Sequence, residues 1–262
     1  MTDLSLESMV KIVVFDSGLG SLSIIKPIQK TVKAEIIYFA DQKNYPYGKK
    51  SISELRRIID KTIINIQKKF KPDLIVVGSN TPSILLGGFK SSKIIGVYPP
   101  LIEASQKTQT SSIAILATQN VVKSNALDKL ILKNISKKVK VLKINASPLV
   151  DLVESGKFID NKQFCKKKIK FLLAQPLESN QVDVVTLSST HLPFLLPQLQ
   201  KSFPKIQFLD PANSIINKIL TISKLQINKP TLKIYSSGNS NKFQKQLKKI
   251  KIKTKVRTLK IN

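Results

Sequence analysis

Asp73-Leu74-Ile75-Val76-Val77-Gly78-Ser79-Asn80-Thr81 and Asp183-Val184-Val185-Thr186-Leu187-Ser188-Ser189-Thr190-His191 are the two stretches that decide the fold. Each opens on an aspartate, runs through apolar and β-branched residues, and closes on small hydroxyl or amide side chains. Such a run reads as a buried parallel strand with a polar tail at its carboxyl end. In open α/β sheets, ligands bind just beyond those ends. Ser79 and Ser189 stand 110 positions apart, which predicts two similar halves facing one site.

A second pair repeats the pattern. Ile12-Val13-Val14-Phe15-Asp16-Ser17-Gly18 opens one half and Ile113-Ala114-Ile115-Leu116-Ala117-Thr118-Gln119 the other, at an offset of 101. Two pairs in the same order at similar offsets favour duplication over the ordinary repetition of strand and helix in any α/β chain.

Working outward, strands are predicted at 11–16, 36–39, 74–77, 94–98, 112–117, 139–144, 184–187, 206–209, 232–236 and near 255–261. Helices are predicted at 22–32, from Ser51 or Ser53 to Phe70, at 121–133, from Pro148 to about Gly156, and at 161–177, 212–224 and 241–250. Strands alternating with helices imply parallel sheets covered on both faces. Pro99-Pro100 breaks the chain and marks a domain crossing.

Bulk properties bound the function. A chain of 262 residues with 42% hydrophobic content can build one large or two modest cores. No apolar stretch approaches a membrane span, and Met1 to Val10 carries acids without a basic leader region. The single cysteine, Cys165, cannot form an internal disulfide. These features favour the cytoplasm and no membrane. The net charge of +28 comes almost wholly from lysine; the arginines are Arg56, Arg57 and Arg257. That excess suits nonspecific contact with polyanions or a solvated surface. Sequence-specific reading of nucleic acid fits poorly, because arginine and stacking aromatics are scarce.

The candidate chemistry sits at the strand ends. Asp16-Ser17-Gly18 closes a strand and opens a helix, where Asp16 either caps the helix or faces a ligand. Its glycines match neither a dinucleotide fingerprint nor a phosphate loop. Ser79-Asn80-Thr81 and Ser189-Thr190-His191 offer hydroxyl and amide donors suited to a small carboxylate, or caps for the following helices. His191 is the only histidine. No Cys/His/carboxylate cluster has metal-ligand spacing, so no metal is expected. Ser-His-Asp hydrolysis lacks its usual G-x-S-x-G elbow. Asp41 and Glu154 are candidate acids or bases, or surface carboxylates. Lysines beside Cys165 would lower its pKa, but its helix lies far from any strand end.

Taken together, Val14 to Ser23, Tyr38-Phe39-Ala40-Asp41, Tyr45-Pro46-Tyr47-Gly48, Gly78-Ser79-Asn80-Thr81, Ala117-Thr118-Gln119, Glu154-Ser155-Gly156, Ser189-Thr190-His191-Leu192-Pro193 and Ile234-Tyr235-Ser236-Ser237-Gly238 resemble, in order, the motifs of the glutamate racemase family. This family belongs to the aspartate/glutamate racemase superfamily. The resemblance implies an α/β fold of two pseudo-twofold-related domains, each a parallel sheet flanked by helices. It places residues 1–98 with 210–262 in the first domain and 99–209 in the second. It implies cofactor-independent inversion of glutamate by two cysteines, one removing the α-proton while the other delivers one to the opposite face. Asp16 and His191 would assist the thiols, with Asp41 and Glu154 in support. Ser17, Pro46, Tyr47, Gly48, Asn80, Thr81 and Thr190 would hold a small dicarboxylic amino acid. The chain departs from the family where it matters most. Ser79 and Ser189 occupy the thiol positions, and Ser147 a third position that is often cysteine.

A thiol with a pKa of about 8.5 gives thiolate near neutrality. A serine hydroxyl needs a neighbouring base acting in concert. Three expectations follow. The first is a protein that binds glutamate or a related acid, with racemisation impaired or lost. The second is an active isomerase using serine with Asp16 or His191. The third is a basic scaffold that binds nucleic acid. A homodimer is left open.

Overall fold

The computed structural model describes residues 10–222 and 230–260. The first half runs β1 (Lys11–Asp16), α1 (Leu22–Thr31), β2 (Glu35–Ala40), α2 (Ile52–Phe70), β3 (Leu74–Val77), α3 (Asn80–Leu85) and β4 (Ile94–Gly96). After α4 (Leu101–Lys107) the second half runs β5 (Ser112–Ala117), α5 (Gln119–Val122), α6 (Asn125–Asn134), β6 (Lys140–Asn145), α7 (Ser147–Glu154), α8 (Lys157–Asp160), α9 (Lys162–Ser179), β7 (Val184–Leu187), α10 (Leu196–Ser202) and β8 (Gln207–Leu209). The chain then returns through α11 (Ala212–Ile222), β9 (Thr231–Ser236), α12 (Ser240–Lys249) and β10 (Val256–Thr258).

Two parallel sheets result. One has the order β10-β9-β2-β1-β3-β4 and the other β6-β5-β7-β8. The inner order is the same in both: second strand, first, third, fourth. The repeat read from the sequence is therefore a repeat of topology. Alternation along β1 shows how each sheet is sandwiched. Val13 and Phe15 enter the core that also holds Ile113, Ile115 and Val184 of the other sheet, so this core joins the halves. Ile12 and Val14 face the opposite layer, with Ile24, Ile28, Ile215 and Phe243. On β5, Ala114 and Leu116 face a third layer containing Leu149, Ile169 and Leu173. Fully burying one such side chain contributes roughly 1.5–3 kcal/mol, so strands buried on both faces fix the register of the tips they carry.

Local signals explain most boundaries. Ser51 caps α2 by accepting from the Glu54 N–H at 3.2 Å, and Leu55, Ile59, Ile63 and Ile66 form its buried stripe. The helix expected over 121–133 is two helices. Ser124 interrupts it, donating to the Val121 carbonyl at 2.8 Å and accepting from the Leu127 N–H at 3.2 Å. The helices α3, α4 and α10 lacked a long enough periodic pattern to be foreseen. Positions 223, 224 and 261 of the predicted elements lie outside the described residues. Cys165 is a correction: it is buried beside Ile169 and Leu173, and burial pushes its thiol pKa up. Its neighbours Lys166 and Lys167 are exposed and do not pull it down. Among the described residues no helix is long and apolar enough to cross a membrane.

Candidate active site

The tips of β1, β3, β5 and β7 converge between the sheets. Ser17, Tyr45, Pro46, Tyr47, Gly48, Lys49, Ser79, Thr81, Thr118, Ser147, Val150, Asp151, Ser189 and His191 line a cavity of about 70 Å³. Ser79 and Ser189, read from matched segments, thus reach one space from opposite halves. Of the expected ligand-holding residues, Ser17, Pro46, Tyr47, Gly48 and Thr81 line it; Asn80 and Thr190 stand behind it. Tyr45, Lys49, Thr118, Val150 and Asp151 were not foreseen. Thr118 carried a signal, because it aligns with Ser17 in the repeat. Larger open grooves of about 400 and 580 Å³ flank Tyr98, and the lysines and apolar residues on them include none of the strand-tip groups.

The two halves are tied at this point by reciprocal contacts. Thr81 of the first half lies 3.2 Å, hydroxyl to hydroxyl, from Thr118 of the second. Thr190 of the second half places its hydroxyl 3.2 Å from Asp16 Oδ2 and 3.1 Å from the Gly78 carbonyl, both in the first. Ser23 donates to the Thr190 carbonyl at 2.7 Å.

Asp16 does not cap α1, whose N-cap is Ser21. Its oxygens accept from the Ser17 N–H at 2.7 Å and the Ser21 hydroxyl at 3.2 Å, besides Thr190. Among the described residues it makes no hydrogen bond to Ser79. Burial raises the Asp16 pKa, only partly offset by the charge of His191 and the Ser17 N–H.

His191 Nε2 lies 2.6 Å from Glu154 Oε1, and the Leu19 N–H donates to the same oxygen at 2.5 Å. The other ring nitrogen, Nδ1, is 3.5 Å from the Ser189 hydroxyl. Burial pulls the His191 pKa down, but the hydrogen bond and charge of Glu154, with Asp16 and Asp151, outweigh it and raise it overall. Glycine is required along this path. A Cβ on Gly18 would sit 2.0 Å from Glu154 Oε1, and one on Gly20 would sit 2.5 Å from the Thr190 hydroxyl.

Asp41 is buried and lies behind the cavity wall. It accepts from Tyr47 at 3.0 Å, from Asn44 at 2.8 Å and from Ser237 at 3.1 Å, so it holds the tyrosine that lines the cavity. Burial, then the Asp41 charge, pushes the Tyr47 pKa well up. Asn80 donates to the Val97 carbonyl at 3.3 Å, and its buried Oδ1 has no partner among the described residues. Among the described residues no group of three or more His, Cys, Asp or Glu side chains is placed to hold a metal.

Two parallel sheets, each flanked by helices, thus bring polar strand tips to one small cavity. No family model matches the chain. A glutamate racemase of Actinobacillus pleuropneumoniae serotype 7 is 31% identical over 217 residues, 80% of each chain. With that relative, the chain belongs to the glutamate racemase family. Solved glutamate racemases share its fold. One from Bacillus anthracis superposes with a TM-score of 0.83 at 23% identity, covering 95% of this chain and 97% of that one. One from Francisella tularensis, solved in complex with D-glutamate, gives 0.77 at 21% identity, covering 97% and 98%.

Proposed function

We propose that this protein binds glutamate or a closely related dicarboxylic amino acid between its halves, and that inversion of the α-carbon is slow or lost. The observation that carries this is the pair Ser79 and Ser189, facing one cavity from opposite sides where the family resemblance calls for thiols. The remaining wall supports the ligand class: hydroxyls of Ser17, Thr81 and Thr118, and the Lys49 side chain, suit carboxylates. In this reading residues 1–98 with 210–262 form one domain and 99–209 the other. The family reaction supplies the substrate class, and the D-glutamate complex of the Francisella relative agrees with it. A serine hydroxyl ionises several units above a thiol, and each 1.36 kcal/mol added to the barrier costs about tenfold in rate.

Calorimetry with each glutamate enantiomer tests the reading. Heat saturating at millimolar ligand is expected, while no heat from either enantiomer or from aspartate would refute it. Deuterium wash-in at the α-carbon measures any surviving chemistry. The second reading, residual catalysis through serine, is favoured at one face by the approach of His191 Nδ1 to Ser189.

A further inference from the structure

We propose that Ser189 is an activated nucleophile, and that the site carries out acyl transfer on short-chain esters by way of a Ser189–His191–Glu154 relay. The inference goes beyond amino-acid binding and does not depend on it. Its basis is a nucleophile within reach of a base that is itself oriented by a third group. Ser189 lies 3.5 Å from His191 Nδ1, and His191 Nε2 lies 2.6 Å from Glu154. Glu154 is acceptor-only when ionised, and it is already committed to the Leu19 N–H, so it fixes the proton on Nε2. That leaves the Nδ1 lone pair turned to the serine whenever the ring is neutral. Reacting hydrogen bonds are often long without substrate, so 3.5 Å is a working distance.

The surroundings favour acyl transfer over proton abstraction from carbon. A serine alkoxide formed only in concert with an imidazole is a poor base towards an α-proton, yet it is the ordinary reagent for an ester carbonyl. The backbone N–H groups of Thr190 and His191, both buried residues, meet no acceptor among the described residues and follow the nucleophile directly. A developing oxyanion needs donors of this kind.

The Ser189 oxygen bonds to the ester carbonyl carbon while its proton passes to Nδ1. Collapse of the tetrahedral adduct breaks the bond to the alkoxy group, which leaves with that proton as the alcohol. Water then attacks the acyl-serine, giving one proton to Nδ1; collapse of this adduct breaks the Ser189 Oγ–acyl bond, the proton passes from Nδ1 to Oγ, and the acid is released with Ser189 and neutral His191 restored.

A small alkyl fluorophosphonate tests this on the full chain: Ser189 attack at phosphorus expels fluoride and leaves a stable adduct. Intact mass and peptide mapping should show one adduct, on Ser189, forming faster as pH rises through one ionisation. S189A, folded by circular dichroism, should lose it. E154Q should move the ionisation to lower pH, because His191 loses the partner that holds its proton; Glu154 is a positioning residue, and a purely structural role would leave the profile in place. p-Nitrophenyl acetate should give an acetylated Ser189 in wild-type protein. Adducts on Ser79, Ser147 or surface lysines with Ser189 unmodified would overturn the inference, as would a folded wild-type protein that takes no adduct or reacts at a pH-independent rate. Modification of Ser189 in a protein that gives no heat with glutamate would uphold the relay and end the binding reading instead.

Discussion

The tips of β3 and β7 come from matched segments and end in the same residue, yet they present different chemistry. Ser79 has no hydrogen-bond partner for its side chain among the described residues, and the next residue, Asn80, turns away to the Val97 carbonyl. Ser189 has His191 two residues on, held by Glu154 from α7. Asp16, the carboxylate nearest in sequence logic to Ser79, spends its contacts on Ser17, Ser21 and Thr190. The two halves therefore share strand order and tip position while the groups that support each tip differ. Equal placement over the cavity does not give equal reactivity.

Restoring sulfur is the strongest way to probe that asymmetry. The double variant S79C/S189C is expected to raise α-carbon deuterium exchange of glutamate by about 10²–10⁴-fold, the usual contribution of a positioned proton-transfer group. S189C alone should exchange one enantiomer preferentially, aided by His191, and S79C alone should gain less. Equal gains from the two single variants, followed by mass spectrometry or NMR, would break the comparison.

Backbone crowding gives the next effect. The second tip's network passes so close to Gly18 that G18A must displace Glu154, whereas a Cβ on Gly48 would meet Thr118 at 3.3 Å, a contact that a small shift relieves. Overpacking costs of about 1–3 kcal/mol are typical. Denaturant melts should show G18A losing stability in that range and G48A losing under about 1 kcal/mol. A larger loss for G48A would mean that the first tip is the more tightly constrained.

Much of this is legible in the sequence itself. The β-branched runs fixed the strands because burial on both faces leaves little choice of residue. The polar residues that end those runs marked the cavity, since strand ends face it in any parallel sheet. Position within an element was harder to read. Glu154 was ambiguous as sequence because its partner, His191, comes from a separate segment, and Asp41 because a loop carboxylate beside Asn44 and Tyr47 reads equally well as a surface turn until Ser237 of the tail closes over it. Thr118, Asp151 and Lys49 were missed because no local pattern marks them: Thr118 follows β5, Asp151 lies within α7 and Lys49 closes the turn at 47–49, and only the packing of the two halves brings them to one cavity. The break at Ser124 was overlooked because an apolar periodicity continues across it.

The tips also differ in how pH acts on them. The folded-state pKa of His191 is raised, so its contribution to stability is fully present below about 6.5, its ordinary value, and is lost as pH rises through the folded pKa. No such group accompanies Ser79. E154Q removes the main opposing carboxylate, so NMR titration should place the His191 midpoint lower than in wild type, and the stability slope across that interval should flatten. An unchanged midpoint would show that Asp16 and Asp151 hold the proton without Glu154.

The smallest expected effect lies at the opposite ends of the same strands, where each segment opens on aspartate. Asp73 accepts one backbone bond, from the Lys11 N–H at 2.8 Å. Asp183 accepts three: from the Thr108 hydroxyl and the Gln109 N–H at 2.6 Å each, and from the Thr110 N–H at 3.0 Å. Burial opposes ionisation of Asp183, but these donors outweigh it and lower its pKa. Each bond to a partly exposed group contributes modestly, so D183A should cost about 1 kcal/mol and D73A a few tenths. Because the folded pKa of Asp183 is depressed, its stabilisation is present above about 3.9 and disappears as pH falls through the folded value. Melts of D183A and wild type should therefore converge in acid. A D183A penalty that persists at low pH would assign the loss to packing of the 108–112 turn, and the two aspartates would then differ in shape and not in charge.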